Sequence, residues 1–397
     1  SGGYVGIGSV NSTLSDGINN SDSISGDVWG ILVVESTLTG GITNSGSISG
    51  GAAGITFAIN STLTGGINNS VNGIISGGED GLAIESGSTL SGGITNAGLI
   101  GGTRYAGINA YQSALTGGIN NSGTIGGGTY GINVRSGSVL TGGIYNAGLI
   151  SSSGEGIGIY GSTLAGGILN TGTITGNSAG VGVYISQLEG GITNSGTISG
   201  KSGIYLKSGS TLSGGVTNAG LIQGTSVAGI YLNASTLDGG ITNSGSISGE
   251  TRGIRAIWST LTGGINNSGS ISGGLAGIYA LNSALEGGII NSGSISGGLA
   301  GVVTKQSTLT GGINNSGTIS GGLNGIVALE STLTGGITNS GTISGNNHGI
   351  EVKQSTLAGD IINSGTISGG DYGILADSST TLKGGITNSG LISGTSV

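Results

Sequence analysis

Two carboxylates stand side by side at Glu79-Asp80, a single histidine sits in Asn347-His348-Gly349, and tyrosine, tryptophan and arginine cluster ahead of a recurring leucine. These are the side chains with chemistry to offer. Paired acids can act as general acid and base, or hold calcium where further oxygens converge at loop spacing. Here the other acids near the leucines, Asp16, Glu189, Asp238, Glu286 and Asp360, fall singly in separated copies of a repeat. Glu79 and Asp80 therefore read as solvated carboxylates of a local loop. His348 has no partner for a triad or a metal site and reads as an exposed corner residue. The run Gly126-Gly127-Gly128 lacks the Gly-Lys-Ser/Thr and the helix that a phosphate loop requires. No residue is assigned a catalytic, metal-binding or cofactor role, and the chain is not expected to be an enzyme.

The aromatic and basic positions give a different reading. Trp29, Tyr105, Tyr111, Tyr130, Tyr160, Tyr184, Tyr205, Tyr231, Arg252, Arg255, Trp258, Tyr279 and Tyr372 all lie in the variable stretch before a leucine. Tyr105 and Tyr130 each stand ten residues before theirs, which predicts that they stack on adjacent turns, near Arg104 and Arg135. Exposed aromatic rings beside arginine are the usual substance of glycan and protein contact sites. The candidate recognition patch is Arg104, Tyr105, Tyr111, Tyr130, Arg135, Tyr160 and Tyr184; the bland alternative is that each tyrosine covers its own corner.

What must position these residues is a repeat. A leucine recurs every 24 or 25 residues, with one interval of 27, from Leu14 to Leu382, giving 16 copies. Glycine follows three residues later in all but one copy, where Asp360 replaces it, and isoleucine or valine four later. Gly-Gly in mid-copy costs a helix roughly 1 kcal/mol per glycine, and Ser, Thr, Asn and Ile are indifferent helix formers. Short alternating runs bounded by Gly, Asn and Ser read as strands instead. Three short strands per copy make one turn of a parallel β-solenoid (β-helix), in which equivalent residues lie about 4.8 Å above one another. On this reading residues 1–397 form one continuous all-β solenoid of 16 turns, a rod roughly 75–80 Å long. No atypical capping copy is visible, so the expectation is an internal piece of a longer rod.

Asparagine stands six residues after every leucine: Asn20, Asn44, Asn69, Asn96, Asn121, Asn146, Asn170, Asn194, Asn218, Asn243, Asn267, Asn291, Asn315, Asn339, Asn363 and Asn388. A corner near the left-handed region tolerates asparagine, and stacked amides can bond from turn to turn as a ladder. Several copies also spell the Asn-x-Ser glycosylation acceptor, but the ladder already accounts for the asparagine. Thr-x-Thr around the leucine, as at Thr37 and Thr39 or Thr308 and Thr310, would line one face in the manner of ice-binding solenoids. Gln187, Glu189, Asp238, Ala284, Glu286 and Lys383 interrupt that array, and β-branched residues favour a pleated surface in any case.

Composition narrows the setting. Gly supplies 95 of 397 residues, charged residues only 7%, and the net charge is −8. The acidic balance argues against nucleic acid and against electrostatic docking to an anionic membrane. No stretch approaches the roughly 18–20 apolar residues of a membrane helix. With zero Cys there is no disulfide framework and no thiolate metal site.

The phrase GITNSGTISG at residues 336–345 resembles the repeats of bacterial autotransporter passenger domains and related large secreted adhesins, and the resemblance extends over essentially the whole chain. It implies a right-handed parallel β-helix, location on the bacterial outer surface or outside the cell, and a role in adhesion or self-association. Partners would be host or cell-surface glycans or proteins, or further copies of the chain in an extracellular fibre.

Overall fold

A computed structural model describes residues 3–395 as an all-β chain, a parallel β-solenoid of about 16 turns whose strands form four parallel sheets. It divides into two units, Ser1–Gly200 and Lys201–Val397. Each turn carries four strands, one more than the sequence reading expects. In one turn of the first unit these are Ala53–Ala58, Thr62–Leu63, Ile67–Asn69 and Ile74–Gly77. The extra division falls at the paired glycines, which separate the leucine strand from the asparagine strand. Gly66 has φ +75°, and a Cβ on Gly65 would collide with the backbone nitrogen of Gly41 in the neighbouring turn.

Register is strict within each unit. In the first, Leu38, Leu63 and Leu90 are direct sheet partners, as are Ile42, Ile67 and Ile94. In the second, Leu212 pairs with Leu237 and Val216 with Ile241. A single turn buries Ile55, Phe57, Leu63, Ile67 and Ile75, each no more than 2% exposed. Such columns bury apolar area only when copies stack, so a lone turn has no core of its own.

Asparagine forms the ladder expected of it, but not from a left-handed corner. It ends the third strand, with its side chain inside. Asn69 Nδ2 donates to Asn96 Oδ1 (2.8 Å), to Gly73 O (3.0 Å) and to Leu99 O (3.1 Å). The second unit repeats the pattern from Asn218 to Asn388. The main-chain acceptors set the amide's orientation, because a flipped amide would aim oxygen at oxygen. Non-glycine residues with positive φ lie instead at the corner after the longest strand, for example Gln112 (49°), Ile185 (53°) and Trp258 (48°).

Serine forms a second ladder. Serine stands two residues before the leucine in most copies, and it is buried. Its backbone N–H donates to the serine Oγ of the next turn, as in Ser61 to Ser88 (3.2 Å) and Ser259 to Ser283 (3.1 Å). The hydroxyl donates to its own chain, as from Ser259 Oγ to Ile257 O (2.8 Å). The corner serines thus satisfy one another's polar groups, with Ser113 Oγ as an exception.

Candidate recognition face

The long strand of each turn has six residues, of which the third and fifth face the core and the first, fourth and sixth face outward. Ten of the 11 tyrosines lie on or at the edge of these strands; Tyr145 is the exception. In the first unit the fourth position is mostly small: Thr56, Ala83, Asn109, Asn133, Gly158 and Gly182. Larger side chains flank it at most sixth positions, Glu85, Tyr111, Arg135, Tyr160 and Tyr184, and at some first positions, Asp80, Tyr130 and Glu155. The result is a trough along the face of that unit.

A polar chain fills the middle of the trough. Asp80 Oδ1 accepts from Ala106 N–H (3.0 Å), and Asp80 Oδ2 accepts from Asn109 Nδ2 (3.2 Å). Asn109 Oδ1 accepts from Asn133 Nδ2 (3.3 Å) and Arg135 Nε (3.4 Å), and Tyr105 OH accepts from Asn133 Nδ2 (2.9 Å). Asp80 is therefore not a solvated loop acid. It is 7% exposed and opens the strand Asp80–Glu85, whereas the insertion that lengthens this copy turns at Val71-Asn72. Burial pushes its pKa up to about 6, against the two hydrogen bonds that favour the anion. Burial also raises Glu85. Toward Trp29 the trough is open, a groove of about 310 Å³ with Leu32, Thr56 and Ala83 on its floor and Glu85 on its rim.

The tyrosines meet as a continuous row. Ring centroids are 5.3 Å apart for Tyr105 and Tyr130, 5.7 Å for Tyr130 and Tyr160, and 4.5 Å for Tyr160 and Tyr184. Only the last pair is face to face, with an interplanar angle of 1°; Tyr105 and Tyr130 meet edge-on at 77°. Counting back from the leucine misplaces Tyr105 by one position. Its sheet neighbour Ala106, not Tyr105 itself, is opposite Tyr130, because Ser136-Gly137 add a residue to the next corner. Arg135 lies over Tyr111 (4.4 Å) and Tyr105 (5.3 Å), as expected for a cation held on aromatic faces. Arg104 does something else: it is highly exposed and pairs with Glu79 at 2.9 Å.

Tyr160 and Tyr184 lie back over the strand. A Cβ on Gly158 would come within 2.8 Å of the Tyr160 ring, and one on Gly182 within 2.6 Å of Tyr184. Tyr184 OH also donates to Glu155 Oε1 (3.1 Å). Burial, then the hydrogen bond with Tyr130, raises the Tyr160 pKa. Both rings are half-buried and cover strand glycines rather than their own corners.

In the second unit the fourth position is large: Tyr205, Tyr231, Arg255, Tyr279, Val303, Val327 and Glu351 fill the space. Tyr205 and Tyr231 stack at 4.8 Å. His348 is half-buried at the start of its strand rather than an exposed corner, with its ring 5.6 Å from that of Tyr372. Among the described residues no group of three His, Cys, Asp or Glu is arranged to hold a metal ion.

The other outward rows are more uniform. Thr64 and Thr334 hydroxyls donate to the carbonyls of Thr39 (2.9 Å) and Thr310 (2.8 Å) in the preceding turns. Of the Asn-Asn pairs, the ladder uses the second residue; the first, such as Asn68 or Asn266, is exposed, so the ladder does not account for the acceptor asparagine of Asn-x-Ser.

The fold and face define a parallel β-solenoid with one varied surface. Comparison of the chain with protein-family models, curated proteins and solved structures finds no match.

Proposed function

We propose that the chain is a repeat scaffold of a bacterial surface or secreted adhesin, which presents recognition residues on its long-strand face. The observation that carries this reading is the distribution of variety: core columns and the asparagine and serine ladders repeat, while aromatic and charged side chains concentrate at outward positions of one strand. A scaffold that holds three of its faces nearly constant is free to vary the fourth. The resemblance of GITNSGTISG to autotransporter passenger repeats favours the same role outside the cell. Tyr105, Tyr111, Tyr130 and Arg135 would make the contact, with glycans or proteins as partners. Replacing Tyr105, Tyr111 and Tyr130 together by serine should abolish adhesion of coated beads to cells or glycan-bearing surfaces without changing the far-ultraviolet circular dichroism; undiminished adhesion would refute the patch.

Self-association into an extracellular fibre is the second reading. It is favoured by Leu275, Leu299 and Leu323, which occupy one corner of three successive turns and are 39%, 47% and 43% exposed. An exposed apolar column is a ready contact between copies. Electron microscopy of the purified chain distinguishes filaments from separate particles, and replacing the three leucines by lysine should dissolve any filaments.

A further inference from the structure

The second unit holds two guanidinium groups in one strand, Arg252–Ile257, with no acid to neutralise them. Arg252 lies over the ring of Tyr279 at 4.2 Å, and Arg255 over the ring of Tyr231 at 4.6 Å. Both arginines are half-buried, and their Nε atoms are buried with no hydrogen-bond partner. The ion pairs among the described residues are Arg104 with Glu79 and Lys353 with Asp377; neither involves this strand, although Glu250 is only two residues away from Arg252. Burial, and then the like charge of Arg255, lower the Arg252 pKa. Two neighbouring cations, each held on its own aromatic ring and left without a counter-charge, cost stability, although the chain has 17 acidic residues from which a partner could be drawn.

We propose that Arg252 and Arg255 form an oxyanion site for the carboxylate or sulfate group of an acidic polysaccharide. Guanidinium presents paired N–H donors that match the oxygens of either group, and the tyrosine rings fix those donors in place. Two cations suit one anionic group on a sugar. They do not suit a nucleic-acid backbone, which is bound through many phosphate contacts. The site is separate from the tyrosine row of the first unit, so the two stand or fall independently.

The test uses the whole chain and measures binding to immobilised dextran sulfate and to polygalacturonate at low ionic strength. Binding to at least one is expected, and which one identifies the anionic group. Arg252→Gln and Arg255→Gln should each weaken it by about tenfold, the loss of one charge-assisted hydrogen-bonded contact. Lys383→Gln, which removes the same charge from an exposed position, should change it less than about twofold. Arg255→Gln should melt no lower than the parent, since it relieves a repulsion. The proposal fails if the parent binds neither polymer, if the glutamine variants bind as well as the parent, or if single-stranded DNA binds more tightly than both.

Discussion

Asn243 donates its amide N–H to Asn267 Oδ1 across 2.7 Å, and Asn267 donates in turn to Asn291 across 2.7 Å, with all three side chains fully buried. Asn267 also donates to Gly269 O and Ser294 O, both at 3.1 Å. Asn267→Ala would strand the buried Asn291 Oδ1 and take one donor from each of these two carbonyls, of which Gly269 O keeps the Ser294 N–H, at a cost of roughly 2–4 kcal/mol. Denaturant unfolding should show the loss, and hydrogen exchange should place it in the turns on either side. Asn267→Asp should cost more, since it buries a carboxylate with an oxygen aimed at Asn291 Oδ1 and the two carbonyls.

Asp80 makes stability depend on pH in the direction opposite to a salt-bridged acid. Its folded pKa of about 6 lies above the ordinary value of 3.8, so the folded chain holds the proton more tightly than the unfolded chain does. The contribution is full below about pH 4 and is lost as pH rises through 6, on the order of 2–3 kcal/mol in all. Asp80→Asn should remove this slope from the melting profile between pH 4 and 7. At pH 8 the variant should be the more stable chain, by on the order of 1–2 kcal/mol once the loss of one accepted hydrogen bond is included.

Ile185 holds φ at 53° while 71% exposed, a conformation that β-branched side chains resist. Ile185→Asn or Ile185→Gly should stabilise the chain by about 0.5–1 kcal/mol, because no packing is lost and the corner strain is relieved. Thermal melting is the measurement; a lower melting temperature would contradict the assignment of strain.

Gly158 is the floor on which Tyr130 and Tyr160 rest. Gly158→Val should lift both rings, increase acrylamide quenching of tyrosine fluorescence and lower stability by roughly 1–3 kcal/mol. The same substitution at Gly101, where a Cβ meets nothing closer than 3.8 Å, should be far milder.

Periodicity made the solenoid legible. Leu63, Ile67 and Asn69 repeat at fixed offsets, and a residue type that recurs at one offset in a stacked fold has to form a column. The fourth strand, such as Ile67–Asn69, was hidden because its asparagine read as a corner residue rather than as the end of a strand. Serine's recurrence two residues before the leucine in 15 of 16 copies is the same kind of signal as the asparagine's. The trough was least legible. Asp80 is buried by partners 26 and 29 residues later, and their register depends on corner insertions that a count from the leucine does not carry. Gly158 and Gly182 were invisible as functional positions in a chain where one residue in four is glycine.

Because the asparagines of the ladder within a unit hand a hydrogen forward from turn to turn, the column is a string of aligned dipoles with a distinct head and tail. A foreign copy can be spliced in only in the same sense and only whole; half a copy would bring unlike groups opposite one another. Tandem duplication in the gene meets both conditions automatically. Such a chain can lengthen or shorten by entire turns with no new chemistry, while each added turn offers three fresh outward sites for selection to work on.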